Sequence, residues 1–151
     1  MIQPLPIENF KHYFSQIKPG NHLLLNEIYA KDIVFQDPIH SIQGIENLKR
    51  YFGKLNENLS EGSFIFTEED ISGNTAYLTW EMTIKLKKSK KPIKASGISV
   101  LVFDEKIIKH RDYFDAGEVF YENIPLLGTI VKFIKRQLQK TDSPNHEQRS
   151  L

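Results

Sequence analysis

"AYLTWEMTIKLKKSKKPIKASGISVLVF", residues 76–103, decides the fold. From Ala76 to Leu86 the apolar side chains fall on alternate positions: Leu78, Trp80, Met82, Ile84 and Leu86. Tyr77, Thr79, Glu81, Thr83 and Lys85 occupy the positions between them. Successive side chains of a strand point to opposite faces, so this run reads as a strand with one covered face and one wet face. The basic turn "KKSKKP" then leads into a second run, "IKASGISVLVF", and the two form a hairpin. The same pattern extends in both directions. Upstream, "SFIFTEEDIS" (63–72) reaches the hairpin through Gly73-Asn74. Downstream, Asp104-Glu105 begins a last turn into "KIIKHRDYFD" (106–115). Four consecutive strands joined by short turns predict an antiparallel meander.

Ahead of the meander the period is helical. Ile7, Phe10, Phe14 and Ile17 form one stripe over 7–18, which Pro19-Gly20 ends. Asn21 is placed to cap a second helix, "HLLLNEIYA". "DIVFQD" (32–37) reads as a short strand, and a third helix runs from about 45 to 59 with Ile45, Leu48, Phe52 and Leu55 on one face. Three helices followed by a meander make an α+β domain. Beyond Gly117, "NIPLLGTIVKFIKRQLQK" carries the stripe Leu127, Ile130, Val131, Ile134 and Leu138 among basic residues. It predicts an amphipathic helix over about 125–140, with a polar, disordered tail at 141–151. A chain of 151 residues is expected to form one domain, here 1–140, without internal repeats.

Composition narrows the function classes. A net charge of +1 gives no field that would draw nucleic acid. Absence of cysteine rules out disulfide and thiol chemistry and fits a reducing cytoplasm. No signal peptide is visible at the start, and no apolar run approaches the roughly 20 residues of a membrane span. The C-terminal helix has three candidate positions: docked on its own domain, in a dimer interface, or against an anionic membrane surface. Docking on its own domain is the simplest.

The chemistry-bearing residues stand out by where they fall. On the last strand His110, Asp112 and Phe114 share one face, and Arg111, Tyr113 and Asp115 the other, so whichever face is covered carries charge. A buried carboxylate or imidazole costs several kcal/mol unless it is paired. His110 and Asp112 therefore form either a satisfied polar network or a site. Asp37 precedes Pro38, which is ordinary turn chemistry, and His40 follows three residues later. Trp80 is open to two readings, and a lone tryptophan on an apolar strand face is more often core than ligand platform. His40, His110, Asp37 and Asp112 have the residue types of a 2-His-carboxylate metal set, but they lack a short ligand spacing, and no metal is expected. Neither a G-x-S-x-G elbow nor a phosphate-cradling glycine motif is present.

The order helix, helix, short strand ending in Asp-Pro, helix, then meander resembles the nuclear transport factor 2-like superfamily. That group includes ketosteroid isomerases and SnoaL-like polyketide cyclases. The segment "IYAKDIVFQDPIHSIQGIENLKRYFGKL" (28–55) carries the match best, and 110–136 is similar to the ending of a bacterial SnoaL-like subgroup. The resemblance covers about residues 7–136. It implies a cone-shaped α+β barrel: a strongly curved sheet wrapped around the N-terminal helices, with a pocket in its open end.

In the ketosteroid isomerases an oxyanion-donating tyrosine lies 24 residues before the catalytic aspartate, and Tyr13 precedes Asp37 by 24. That family's second, acidic oxyanion donor corresponds to Ser99, a weaker donor. SnoaL-like relatives place an acidic residue on the last strand, which points to Asp112. The resemblance thus implies catalytic roles for Asp112 and Asp37 as an acid/base pair, either one serving as the acid, with Tyr13, His40 and His110 as donors or orienting groups. Trp80, Met82, Ile84, Ser99 and Phe114 would line the substrate wall. The implied function is cofactor-free proton transfer on a small hydrophobic molecule: isomerisation, aldol-type cyclisation, dehydration or epoxide opening. A homodimer is expected. The alternatives are a non-catalytic ligand-binding module, or a protein-interaction module with the outer sheet and the C-terminal helix as its surface.

Overall fold

The computed structural model describes residues 3–120 and Arg136. Helix α1 spans Leu5–Ser15, with Pro6 in its first turn, where a missing N–H is not needed. It buries Ile7, Phe10, Tyr13 and Phe14. A 3₁₀ turn at Asn21–Leu24 runs into one α-helical turn, α2 (Leu25–Ile28), so the second predicted helix is short. The chain becomes extended at Tyr29, three residues earlier than the sequence pattern suggests. Strand β1 is Tyr29–Gln36, β2 is Ser41–Gln43 and α3 is Ile45–Glu57. The meander follows as β3 (Leu59–Ser72), β4 (Thr75–Leu86), β5 (Ile93–Phe103) and β6 (Ile107–Phe114). A short helix, α4, occupies Ala116–Phe120. The C-terminal helix predicted over 125–140 and the tail lie outside the described residues, as does the boundary between them.

All six strands form one sheet in the order β2-β1-β6-β5-β4-β3. The meander pairs antiparallel as expected. One pairing departs from the antiparallel rule, because β1 joins β6 in parallel. A parallel partner needs a crossover, and the chain between them, α3 and three long strands, supplies it. The sheet is curved but not closed: β2 and β3 are its free edges, so the barrel expected from the sequence is an open cone.

The helices cover the concave face. The core joins Ile7, Phe10, Tyr13, Phe14, Leu25, Tyr29, Ile33, Phe35, Leu48, Leu78, Leu101 and Ile107, all buried. On α3 the inward stripe ends at Asn56 rather than Leu55, which is 44% exposed. Asn56 sits four residues after Phe52 and closer to the centre of the stripe, so helical geometry places an amide where a hydrophobic pattern would select the leucine. Among the described residues no helix is long and apolar enough to cross a membrane.

Candidate functional site

Strand register builds the site. Across the sheet Phe66 lies opposite Trp80, Trp80 opposite Gly97, and Gly97 opposite Phe114. One rung along, Leu78 pairs with Ser99 and Ser99 with Asp112. On the next, Ala76 pairs with Leu101, Leu101 with His110, and His110 with Phe35 of β1. Alternation therefore brings Trp80, Ser99, His110 and Asp112 onto the covered face of three neighbouring strands.

Hydrogen bonds join them in a line. Trp80 Nε1–H donates to Ser99 Oγ at 2.9 Å, and the Ser99 hydroxyl donates to Asp112 Oδ1 at 2.5 Å. His110 Nε2 meets the same Oδ1 at 2.7 Å, and its Nδ1 meets Tyr29 Oη at 2.8 Å. His110 is only 2% exposed, whereas the Asp112 side chain keeps 16%. Both bonds to Asp112 converge on Oδ1, so Oδ2 has no hydrogen-bond partner among the described residues. The imidazole is boxed by Phe10, Phe14 and Phe35, with ring centroids 5.2, 6.3 and 4.9 Å away in edge-to-face geometry. Burial pushes the Tyr29 hydroxyl well above the ordinary tyrosine range, with the charge of Asp112 and then Tyr13 adding to it.

A second cluster forms at the end of β1. Asp37 Oδ1 accepts the backbone N–H of Ile39 at 2.8 Å and of His40 at 2.6 Å, closing the turn before β2. The His40 ring Nδ1 is 3.2 Å from each oxygen of Asp37. Tyr51 of α3 donates to Oδ2 at 3.2 Å. The Asp37 side chain is 7% exposed and His40's is 42%. Burial pushes the Tyr51 hydroxyl far up, then the charge and hydrogen bond of Asp37, then the charge of Asp112. Tyr51 thus lies within electrostatic reach of both carboxylates.

The remaining predicted residues separate. Tyr13 is a core residue packed edge-on against Phe14; its hydroxyl is buried near Asn56 without a well-formed hydrogen bond. Burial raises its pKa, and the Asn56 amide offsets this in part. Met82, Ile84 and Phe114 pack, half-buried, on Ile93, Ala95 and Val119. Trp80 touches Phe114 at a centroid distance of 6.1 Å. No group of three or more ligand-type side chains is arranged to hold a metal ion among the described residues, so His40, His110, Asp37 and Asp112 do not assemble into the set considered above.

Two tyrosines escaped the sequence reading. Lys31 breaks the alternation between Tyr29 and Ile33, and an irregularity interrupts the β1–β6 register there, so Tyr29 reads as the end of a helix. Tyr51 reaches Asp37 only through the packing of α3 beside β1, for which no spacing in the sequence is diagnostic.

Residues 10–110 match the family described as the SnoaL-like domain. No curated protein gives a significant match. Among solved structures, the chain is similar to a hypothetical protein with a ketosteroid isomerase-like fold from Catenulispora acidiphila, in complex with trimethylamine. The TM-score is 0.68 at 15% identity, over 80% of this chain and 93% of that one. It is also similar to an LEH-like epoxide hydrolase of M. tuberculosis, with TM-score 0.65 and 14% identity over 88% and 95% of the two chains. A candidate polyketide cyclase from Acidithiobacillus ferrooxidans matches with TM-score 0.64 and 19% identity over 78% and 90%. At these identities the likeness concerns the fold.

Proposed function

Because the chain belongs to the SnoaL-like domain family, we propose that it is an enzyme that moves a proton on a small hydrophobic molecule without a cofactor, with Asp112 as acid/base. One observation carries the reading: Oδ1 of Asp112 is held by Ser99 and His110, while Oδ2 is left without a partner among the described residues. A carboxylate gripped on one oxygen keeps its geometry while the other accepts a proton, and the two donors stabilise its charge. Phe114 and Trp80, beside it on the same face, would form the apolar wall. The proton taken up on Oδ2 is then returned to another atom of the substrate, or given to a leaving oxygen. Isomerisation, cyclisation and epoxide opening all need such a step. Asp37 has most of its lone pairs engaged by the turn and by Tyr51, so its proposed part is support through charge and position, with His40 at the more exposed end.

The test is turnover of a panel of small hydrophobic ketones and epoxides by wild type and Asp112→Asn. The expected loss in the variant is roughly 10²–10⁴-fold, the usual contribution of a positioned acid/base. Undiminished turnover by Asp112→Asn would remove Asp112 from the mechanism.

A non-catalytic binding or interaction module of the same fold is the second reading. It is favoured by the density of aromatic side chains inside the cone and by the position of two cavities, of about 240 and 430 Å³, along α1–α2 and α3. Neither cavity includes Asp112. Binding of the panel compounds with no turnover would support this reading. The proposal extends to a homodimer through the outer sheet face, where Ile65, Tyr77 and Tyr113 are exposed. Light scattering that returns the mass of one chain would reject the dimer.

A further inference from the structure

The line of hydrogen bonds through Asp112 has a direction, and its far end explains it. Indole N–H only donates, so Ser99 Oγ accepts from Trp80 and turns its own proton towards Asp112 Oδ1. At the other end Tyr29 is 1% exposed, and its hydroxyl makes one hydrogen bond among the described residues, to His110 Nδ1. If that hydroxyl accepted from Nδ1–H, its own proton would be stranded in an apolar core, a cost buried donors seldom bear. If it donates, every group in the line is satisfied. Nδ1 then carries a lone pair, the single proton of the neutral imidazole lies on Nε2, and Nε2–H donates to Asp112. The raised pKa of Tyr29 agrees, since the phenol holds its proton. Phe10, Phe14 and Phe35 hem the ring on several sides, so the imidazole is held in place while Tyr29 sets its polarity.

We infer that Tyr29 is a positioning residue: by donating to Nδ1 it fixes His110 as the Nε2–H tautomer, so that Oδ1 of Asp112 receives two donated hydrogens and only Oδ2 is left to take a proton. The meaning of this for catalysis rests on the role proposed for Asp112, but the tautomer itself does not. It is read by long-range ¹H–¹⁵N NMR of the histidines in the intact chain, with His110→Gln assigning the signals. Wild type is expected to show Nε2 protonated and Nδ1 as an unprotonated, hydrogen-bond-accepting nitrogen.

Tyr29→Phe keeps the ring and removes the donor. The Nδ1 resonance should then move towards that of a free unprotonated nitrogen, a change that loss of packing alone would not produce. On a turned-over substrate the same variant should lower kcat and leave KM near the wild-type value. An Nδ1–H tautomer in wild type overturns the inference, and this spectrum decides even where Tyr29→Phe does not fold. An Nδ1 signal unmoved in a folded Tyr29→Phe overturns it as well. The expected tautomer together with a fully active Asp112→Asn would uphold the lock and defeat the proposed catalytic role.

Discussion

Asp37 and Asp112 have different surroundings, and between these two aspartates the sequence leans narrowly towards Asp112 as essential with Asp37 assisting. Asp37 ties down two backbone N–H groups, a tyrosine and a histidine. Asp112 is gripped on one oxygen only. Asp37→Asn keeps an acceptor for the turn, and its turnover is expected to fall by less than ~10-fold, against roughly 10²–10⁴-fold for Asp112→Asn. Side-by-side kinetics on one substrate check this, and equal losses would make Asp37 the chemical partner of Asp112. Ser99→Ala strands the buried Trp80 N–H and removes a donor from Asp112, so urea unfolding should show a loss of about 1–3 kcal/mol. Alternation put His110 and Asp112 on one face of the last strand, and only the family resemblance turned that face towards Ser99 and Trp80. Neither could show which oxygen of which carboxylate stays free, because that depends on hydrogen bonds from residues far away in the chain.

At the scale of elements, the meander was legible because its two central strands, β4 and β5, keep one covered face over their length, whereas β3 is mostly exposed and shifts register twice. The short β2 was not legible: its three residues, Ser41–Gln43, are mostly exposed and carry no pattern. The parallel seat of β1 beside β6 is likewise a choice among edges that no local signal makes. One element-level contact yields a sharp prediction. A Cβ on Gly97 would lie 2.6 Å from the Trp80 ring and 2.6 Å from the carbonyl oxygen of Tyr113. Glycine there lets the indole edge approach β5 closely with its N–H on Ser99. Gly97→Ala must push the indole or the strands apart, at a cost of about 1–3 kcal/mol for overpacking. Urea denaturation measures the cost, and Trp80, the only tryptophan in the chain, reports the movement by its fluorescence. An unchanged spectrum and midpoint would mean the strands yield without disturbing the site.

For the molecule as a whole, three tyrosines, Tyr13 and Tyr29 buried and Tyr51 partly buried, weaken the fold at alkaline pH. Tyr29, Tyr51 and Tyr13 all have hydroxyls raised above the ordinary value of 10.0 by burial. In the unfolded chain they ionise near that ordinary value, while in the folded chain they stay protonated. Their contribution to stability is therefore intact below pH 10 and shrinks as pH climbs towards the folded values. Urea midpoints are expected to fall between about pH 9 and about pH 11, with tyrosinate absorbance from these residues appearing together with unfolding. A midpoint constant across that range would show that the three hydroxyls are not held in their protonated form by the fold.

The parallel pairing of β1 with β6 also bears on how the molecule comes together. The Tyr29–His110 bond joins residues 81 positions apart, and β1 can pair with β6 only after the last strand of the meander exists. Such distant pairings are slow to form, and a chain leaving the ribosome must wait for its 110th residue before this one can. The contact that orients the imidazole beside Asp112 thus cannot form before the last strand has been made, and a nascent chain acquires its proposed chemistry only once β6 has emerged.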